Sequence, residues 1–129
     1  MQTDRQAGTV IFVSNRSPEA TLLQDIEAHG LVIQWACSIR AAVDLLNSAR
    51  GKTVIVTELA LADGSWRYLV ERMRSLDICV PIILSTPSST AELWWDALEC
   101  GIEDIFPVSL LASRLCQLLL ENIFDERNE

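Results

Sequence analysis

The chain has 129 residues, half of them apolar, with 10 basic and 18 acidic side chains and a formal charge of −8. That length holds one ordinary domain with a real core and not two. The negative balance excludes charge-driven binding to nucleic acid or to an anionic membrane, both of which need positive charge. No apolar run approaches the ~20 residues of a spanning helix, and the polar start MQTDRQAG lacks the apolar region of a signal peptide, so a cytoplasmic chain is expected.

Residues 1–8 read as a flexible tail, 9–124 as one domain and 125–129 as a second tail or the start of a linker. Thr9 to Ser14 (TVIFVS) is a predicted first strand. Ser17 is the expected N-cap of the following helix, with Pro18 at its first position, where the missing N–H costs nothing. Leu22, Leu23 and Ile26 form its inward stripe, and Gly30 is its stop. Leu31 to Ala36 (LVIQWA) is a second strand, and Ser38 caps a helix carrying Ile39, Ala42, Val43, Leu45 and Leu46.

The stretch Lys52 to Trp66 organises the rest. Thr53 to Thr57 is an unbroken, β-branched apolar run, as expected of a strand buried on both faces. It ends at a carboxylate, Glu58, and breaks at Ala62-Asp63-Gly64 before a helix with Leu69, Val70, Met73 and Leu76 on one face. Val80 to Ser85 is a fourth strand with Pro81 at its start. TAELWWDALECG is a fourth helix, Ile102 to Pro107 a fifth strand and Ser109 to Phe124 a long last helix. Five strand and helix alternations predict an α/β fold with a doubly wound parallel sheet.

Cys37, Cys79, Cys100 and Cys116 fit no zinc spacing, and the chain has one histidine. Free, buried thiols acting as small hydrophobes are expected. No cofactor and no metal are expected. An enzyme is not expected either: His29 falls at a helix end, and SNRSPE stands where a glycine-rich phosphate loop would follow the first strand.

Three stretches carry a family resemblance in order. Glu58-Leu59-Ala60-Leu61-Ala62-Asp63-Gly64 resembles the phosphoacceptor loop (Asp-Leu-x-Leu-Pro-Asp-Gly) of the receiver domain of bacterial two-component response regulators. Val80 to Thr86 and Ala97-Leu98-Glu99-Cys100-Gly101-Ile102-Glu103-Asp104 resemble two later runs of the same family. The likeness spans about Thr9 to Ile123. It implies a flavodoxin-like, CheY-like three-layer sandwich whose five parallel strands run in the order 2-1-3-4-5.

The resemblance also assigns functional positions, and this chain departs from most of them. Ser14 and Asn15 stand where the family has its magnesium-binding acids, and a hydroxyl and an amide bring no charge to a hard cation. Glu58 replaces the phosphoacceptor aspartate with a carboxylate one methylene longer, and Val108 replaces the phosphate-clamping lysine. Thr86 matches the switch hydroxyl or else caps the following loop, and Ile105 takes the place of the switch aromatic. Glu58 either imitates a phosphorylated aspartate or is a solvated loop residue that accepts from the N–H groups of 61–63. A divergent, non-phosphorylated receiver-like module acting through protein contacts is the leading expectation. The alternative is a conventional phosphoacceptor using Glu58 or Asp63.

The contact surface is expected on the fourth helix, fifth strand and last helix, as a homodimer or with a partner signalling protein. Trp94 is expected to pack inward and Trp95 to be partly exposed as a hot-spot candidate or laid across a neighbouring loop. Leu111, Leu118 and Phe124 are expected on the outer apolar face of the last helix, which is hydrophobic around most of its circumference. Neither direct nucleic-acid binding nor membrane association is expected.

Overall fold

The computed structural model describes residues 8–49 and 51–120. The elements are β1 (Gly8–Val13), α1 (Ala20–Ala28), β2 (Leu31–Ala36), α2 (Ile39–Ser48), β3 (Thr53–Glu58), β4 (Ala60–Leu61), β5 (Gly64–Ser65) and α3 (Trp66–Ser75). They continue with β6 (Ile82–Ser85), α4 (Ala91–Glu99), β7 (Asp104–Phe106), a 3-10 turn (Val108–Leu110) and α5 (Leu111–Leu120). Five parallel strands form one sheet in the order β2-β1-β3-β6-β7. With the small β4–β5 hairpin set aside, that is the expected order 2-1-3-4-5.

The central strands are apolar at successive positions because helices cover both sheet faces. On one face Ile11, Val13, Ile55 and Leu84 pack with Ala42 and Val43 of α2, Leu69 and Met73 of α3, and Ala97 of α4. On the other face Val10, Phe12, Val54, Val56 and Phe106 pack with Ile26 of α1 and with Leu111 and Leu115 of α5. The result is the expected three-layer sandwich.

Several boundaries and orientations differ from the sequence expectations. Gly8 belongs to β1 and pairs with Leu31. The N-cap of α1 is Glu19, in extended backbone and with no side-chain capping bond, so neither Ser17 nor Pro18 opens that helix. The stop at Gly30 is as expected, with φ at 81° and its N–H donating to the Glu27 carbonyl at 3.0 Å. β6 begins after Pro81, and Leu76 is exposed at the C-cap of α3, while Trp66 at the head of that helix is buried. Cys37, Cys79 and Cys100 are free thiols, the first two exposed and the third half-buried against the core.

The fourth helix has a different phase. Its inward face is Leu93, Ala97 and Cys100, which leaves Trp94 and Leu98 exposed beside Trp95. Leu111 is fully buried in the core and presents nothing to a partner. The side chains of Cys116 and Leu118, and all of Phe124, lie outside the described residues.

A device in the β4–β5 hairpin joins two helices. Ala62 and Asp63 form its tip, and a Cβ on Gly64, whose φ is 152°, would approach Ile39 to 2.9 Å. That closeness lets the Asp63 carboxylate accept from the N–H of Ile39 at 2.8 Å and of Arg40 at 3.2 Å. Ser38 Oγ accepts from the N–H of Ala41 at 3.1 Å, so the first N–H groups of α2 are satisfied from two directions. Burial pushes the Asp63 carboxyl up, but the N–H groups of Ile39, Arg40 and Asp63 outweigh it and hold the carboxyl below its ordinary 3.8.

Two stability outcomes follow from these contacts. The folded carboxyl of Asp63 titrates below the unfolded one, so its stabilisation is complete above the unfolded value and is lost as pH falls through the folded one. Asp63→Asn should cost about 1 kcal/mol or less at neutral pH, since solvent screens this exposed site, and urea titrations should show the gap to wild type closing in acid. Leu111→Ala should cost about 2–5 kcal/mol by the same measurement, as a core truncation.

Candidate functional site

In a sheet of this order the crevice lies beyond the carboxyl ends of the strands where chain direction reverses, here between β1 and β3. Their register ends at Val13 opposite Thr57, so Ser14 and Glu58 follow at the same level. Glu58 is half-buried and also pairs in register with Ser85 of β6. A cleft of about 490 Å³ opens there, bounded by the loop into α1, by Glu58 and by the turn into α5.

Of the residues singled out in the sequence, Ser14, Glu58 and Val108 line this cleft together. Ser14 is buried, and its Oγ accepts from the Arg16 N–H at 3.2 Å. Asn15 does not line the cleft, and its Nδ2 donates to the Ala60 carbonyl at 3.4 Å. Thr86 is buried, and its Oγ1 donates to the Ser88 carbonyl at 2.9 Å, the loop-capping contact that was the plainer expectation. Ile105 is buried in the core under α2, α3 and α4. Both oxygens of Asp63 are engaged at the N-terminus of α2 and are turned to that helix.

The sequence reading missed Arg16. This residue lines the cleft with Glu58, and among the described residues it makes no ion pair. The SNRSP loop showed a basic residue after the first strand, but only the tertiary fold brings it to the cleft. The loop after β1 thus brings a basic residue to the cleft, which the position of Val108 does not.

The resemblance implies a magnesium ion, and the donor set does not fit one. Magnesium requires near-octahedral oxygen ligation, with carboxylates supplying the charge. At the strand ends the cleft offers the carboxylate of Glu58 and a serine oxygen already accepting a hydrogen bond, while its two other acids, Glu19 and Asp25, belong to the N-cap and body of α1, and the basic residue Arg16 shares the lining. Among the described residues no three His, Cys, Asp or Glu side chains group closely enough to hold a metal. His29, at the end of α1, has Nδ1 2.8 Å from the Asp25 carbonyl and is exposed, away from the cleft.

Beyond the cleft, α4 carries the exposed apolar surface. Trp95 is 68% exposed, with Trp94 and Leu98 beside it. The helix is held from the side by the Arg67–Asp96 ion pair and by Arg74 donating to the Cys100 carbonyl at 3.2 Å. On the neighbouring strand, Asp104 of β7 pairs with Arg114 of α5, whose guanidinium stacks over Phe106. No described helix is long and apolar enough to cross a membrane.

No protein-family model matches the chain, and neither does the sequence of any curated protein. Solved structures do match. The signal receiver domain of a putative LuxO repressor protein from Vibrio parahaemolyticus superposes with a TM-score of 0.75 at 18% identity, over 94% of this chain and 96% of that one. The receiver domain of Francisella response regulator 1452 gives 0.75 at 20% identity, over 94% and 98%. The signal receiver domain of an HD domain-containing protein from Pseudomonas fluorescens Pf-5 gives 0.75 at 20% identity, over 100% and 98%. The architecture of this chain is the CheY-like fold of response-regulator receiver domains.

Proposed function

We propose that this chain is a divergent receiver-like signalling module, not an enzyme, that works by protein contact and not by magnesium-dependent phosphorylation. The observation that carries the reading is the composition of the cleft at the tips of β1 and β3. Ser14, Glu58 and Val108 line it where a phosphorylated receiver would need an acid, an aspartate and a lysine. Phosphoryl transfer depends on positioning and on neutralising charge at the transferred group. A longer carboxylate without a metal cage satisfies neither requirement. Arg16 adds a cation, but a guanidinium alone does not replace the bridging ion.

The alternative of a conventional phosphoacceptor has less support. Asp63 is committed to the N-terminus of α2, and phosphorylating it would remove the cap on that helix. Glu58 is open to the cleft, and it lacks the ion that would draw a phosphoryl group to it. The switch is not built as a receiver's would be either: Thr86 is bonded to its own loop and Ile105 is a core aliphatic.

Output through a surface is supported by α4. Trp94, Trp95 and Leu98 form an apolar patch rimmed by Glu92 and Glu99, the anatomy of a docking site for a partner signalling protein. The resemblance places partner contacts on this same face. Trp95 is the anchor residue of that surface.

Intact-mass measurement after incubation with a small acyl phosphate and Mg²⁺ should show no change, and a gain of one phosphoryl group would contradict the reading. The combined variant Ser14→Asp, Asn15→Asp, Glu58→Asp, Val108→Lys should gain that group under the same conditions, since it restores the charges the transfer requires. Failure of the folded variant to gain it would show that these positions are not the functional equivalents assigned to them.

A further inference from the structure

A sheet ends on two strands whose outer N–H and C=O groups have no ladder partner, and natural sheets guard such edges by keeping them short or charged. The two edges of this sheet differ. β7 has three residues, opens on Asp104 and is braced by the Arg114 ion pair. β2 has six residues, LVIQWA, with no charge and no proline among them. Among the described residues its ladder partner is β1, followed by the Ser14 N–H donating to the Ala36 carbonyl at 3.1 Å. Val32 and Trp35 are 37% and 44% exposed, and Gln34 is exposed between them. The Trp35 indole N–H donates to the Ser14 carbonyl at 3.0 Å, which fixes the ring before any partner arrives.

We propose that a second copy of this chain pairs antiparallel along β2, about a two-fold axis at Gln34, so that the two sheets become one continuous sheet. The register is self-complementary. Strand alternation puts Leu31, Ile33 and Trp35 on the face of α1 and α5, where Leu31 and Ile33 pack, and Val32, Gln34 and Ala36 on the opposite face. Residues directly opposed in an antiparallel pair share a face. With Gln34 against Gln34 of the second copy, Ile33 meets Trp35 and Val32 meets Ala36, each on its own face. The facing amides can donate to and accept from each other, and the aromatic and β-branched pair is favourable.

Self-matching of the Gln34 amides selects the second copy, and charge favours this edge over α4. Each chain carries −8, so two copies repel in general and associate best where no carboxylate faces another. β2 itself carries no charged side chain. The patch on α4 is not uncharged in this way, because Glu92 and Glu99 flank its tryptophans with no ion pair of their own among the described residues, Asp96 alone being matched by Arg67. Pairing along β2 leaves α4 free for a different protein, and it stands independently of the function proposed above.

Sedimentation equilibrium of the full chain should show a concentration-dependent dimer. Gln34→Glu and Gln34→Lys, at an exposed position that leaves the fold intact by circular dichroism, should each weaken it about tenfold or more by placing like charges face to face. Mixing the two variants one to one should restore the dimer, an outcome available only if position 34 faces itself, and Trp95→Ala should leave it unchanged. A wild-type chain that stays monomeric at near-millimolar concentration overturns the proposal, as it would if the occupant were a peptide of another protein. Gln34 variants that dimerise as tightly as wild type, or a mixture that recovers nothing, also overturn it.

Discussion

The parallel pairing of β1 with β3 is the constraint on which the rest of the molecule depends. It sets Val13 opposite Thr57, brings Ser14 level with Glu58, and creates the point where the chain turns outward in both directions across the sheet. Because both strands are covered on both faces, their side chains are fixed by packing, and a one-residue slip would exchange the two cores. The chemistry of the cleft is therefore decided by which residues follow each strand. Here they are a serine, an asparagine and an arginine after β1, and a glutamate at the end of β3.

Those identities separate architecture from activity. The fold is shared with proteins only 18–20% identical over nearly their whole length, which requires little more than keeping the apolar pattern of five strands and five helices. A phosphorylation site requires much more, since charge and geometry must be right to within about half an ångström. The cleft's donor set does not suit a divalent cation. Fold similarity alone cannot assign the function of such a site.

The sheet was legible in the sequence because a strand buried on both faces is a continuous apolar run bounded by breakers. β1 and β3 follow that logic closely, and the Ser38 cap of α2 is where the local signal puts it. Local signals failed where a distant element decided the outcome. Ser17-Pro18 has good capping chemistry, yet the chain stays extended to Glu19 on its way past the cleft. In α4 a periodicity based on bulk turns Trp94 and Leu98 inward, whereas the helix packs on Leu93 and Ala97 against Ile102 and Ile105. Leu111 looked like surplus apolar surface because the 3-10 turn before it, which rotates it into the core, has no strong sequence signature. Asp63 capping α2 and Arg16 entering the cleft are contacts between segments far apart in the chain, and spacing cannot reveal them.

The central claim is that the strand tips hold no magnesium, and it is tested most directly by titrating the folded chain with Mg²⁺, and with paramagnetic Mn²⁺, while following backbone amide resonances. The account expects the signals of Ser14, Asn15 and Glu58 to stay in place and unbroadened at millimolar Mg²⁺. Saturable shifts confined to those residues, with selective broadening by Mn²⁺, would contradict it.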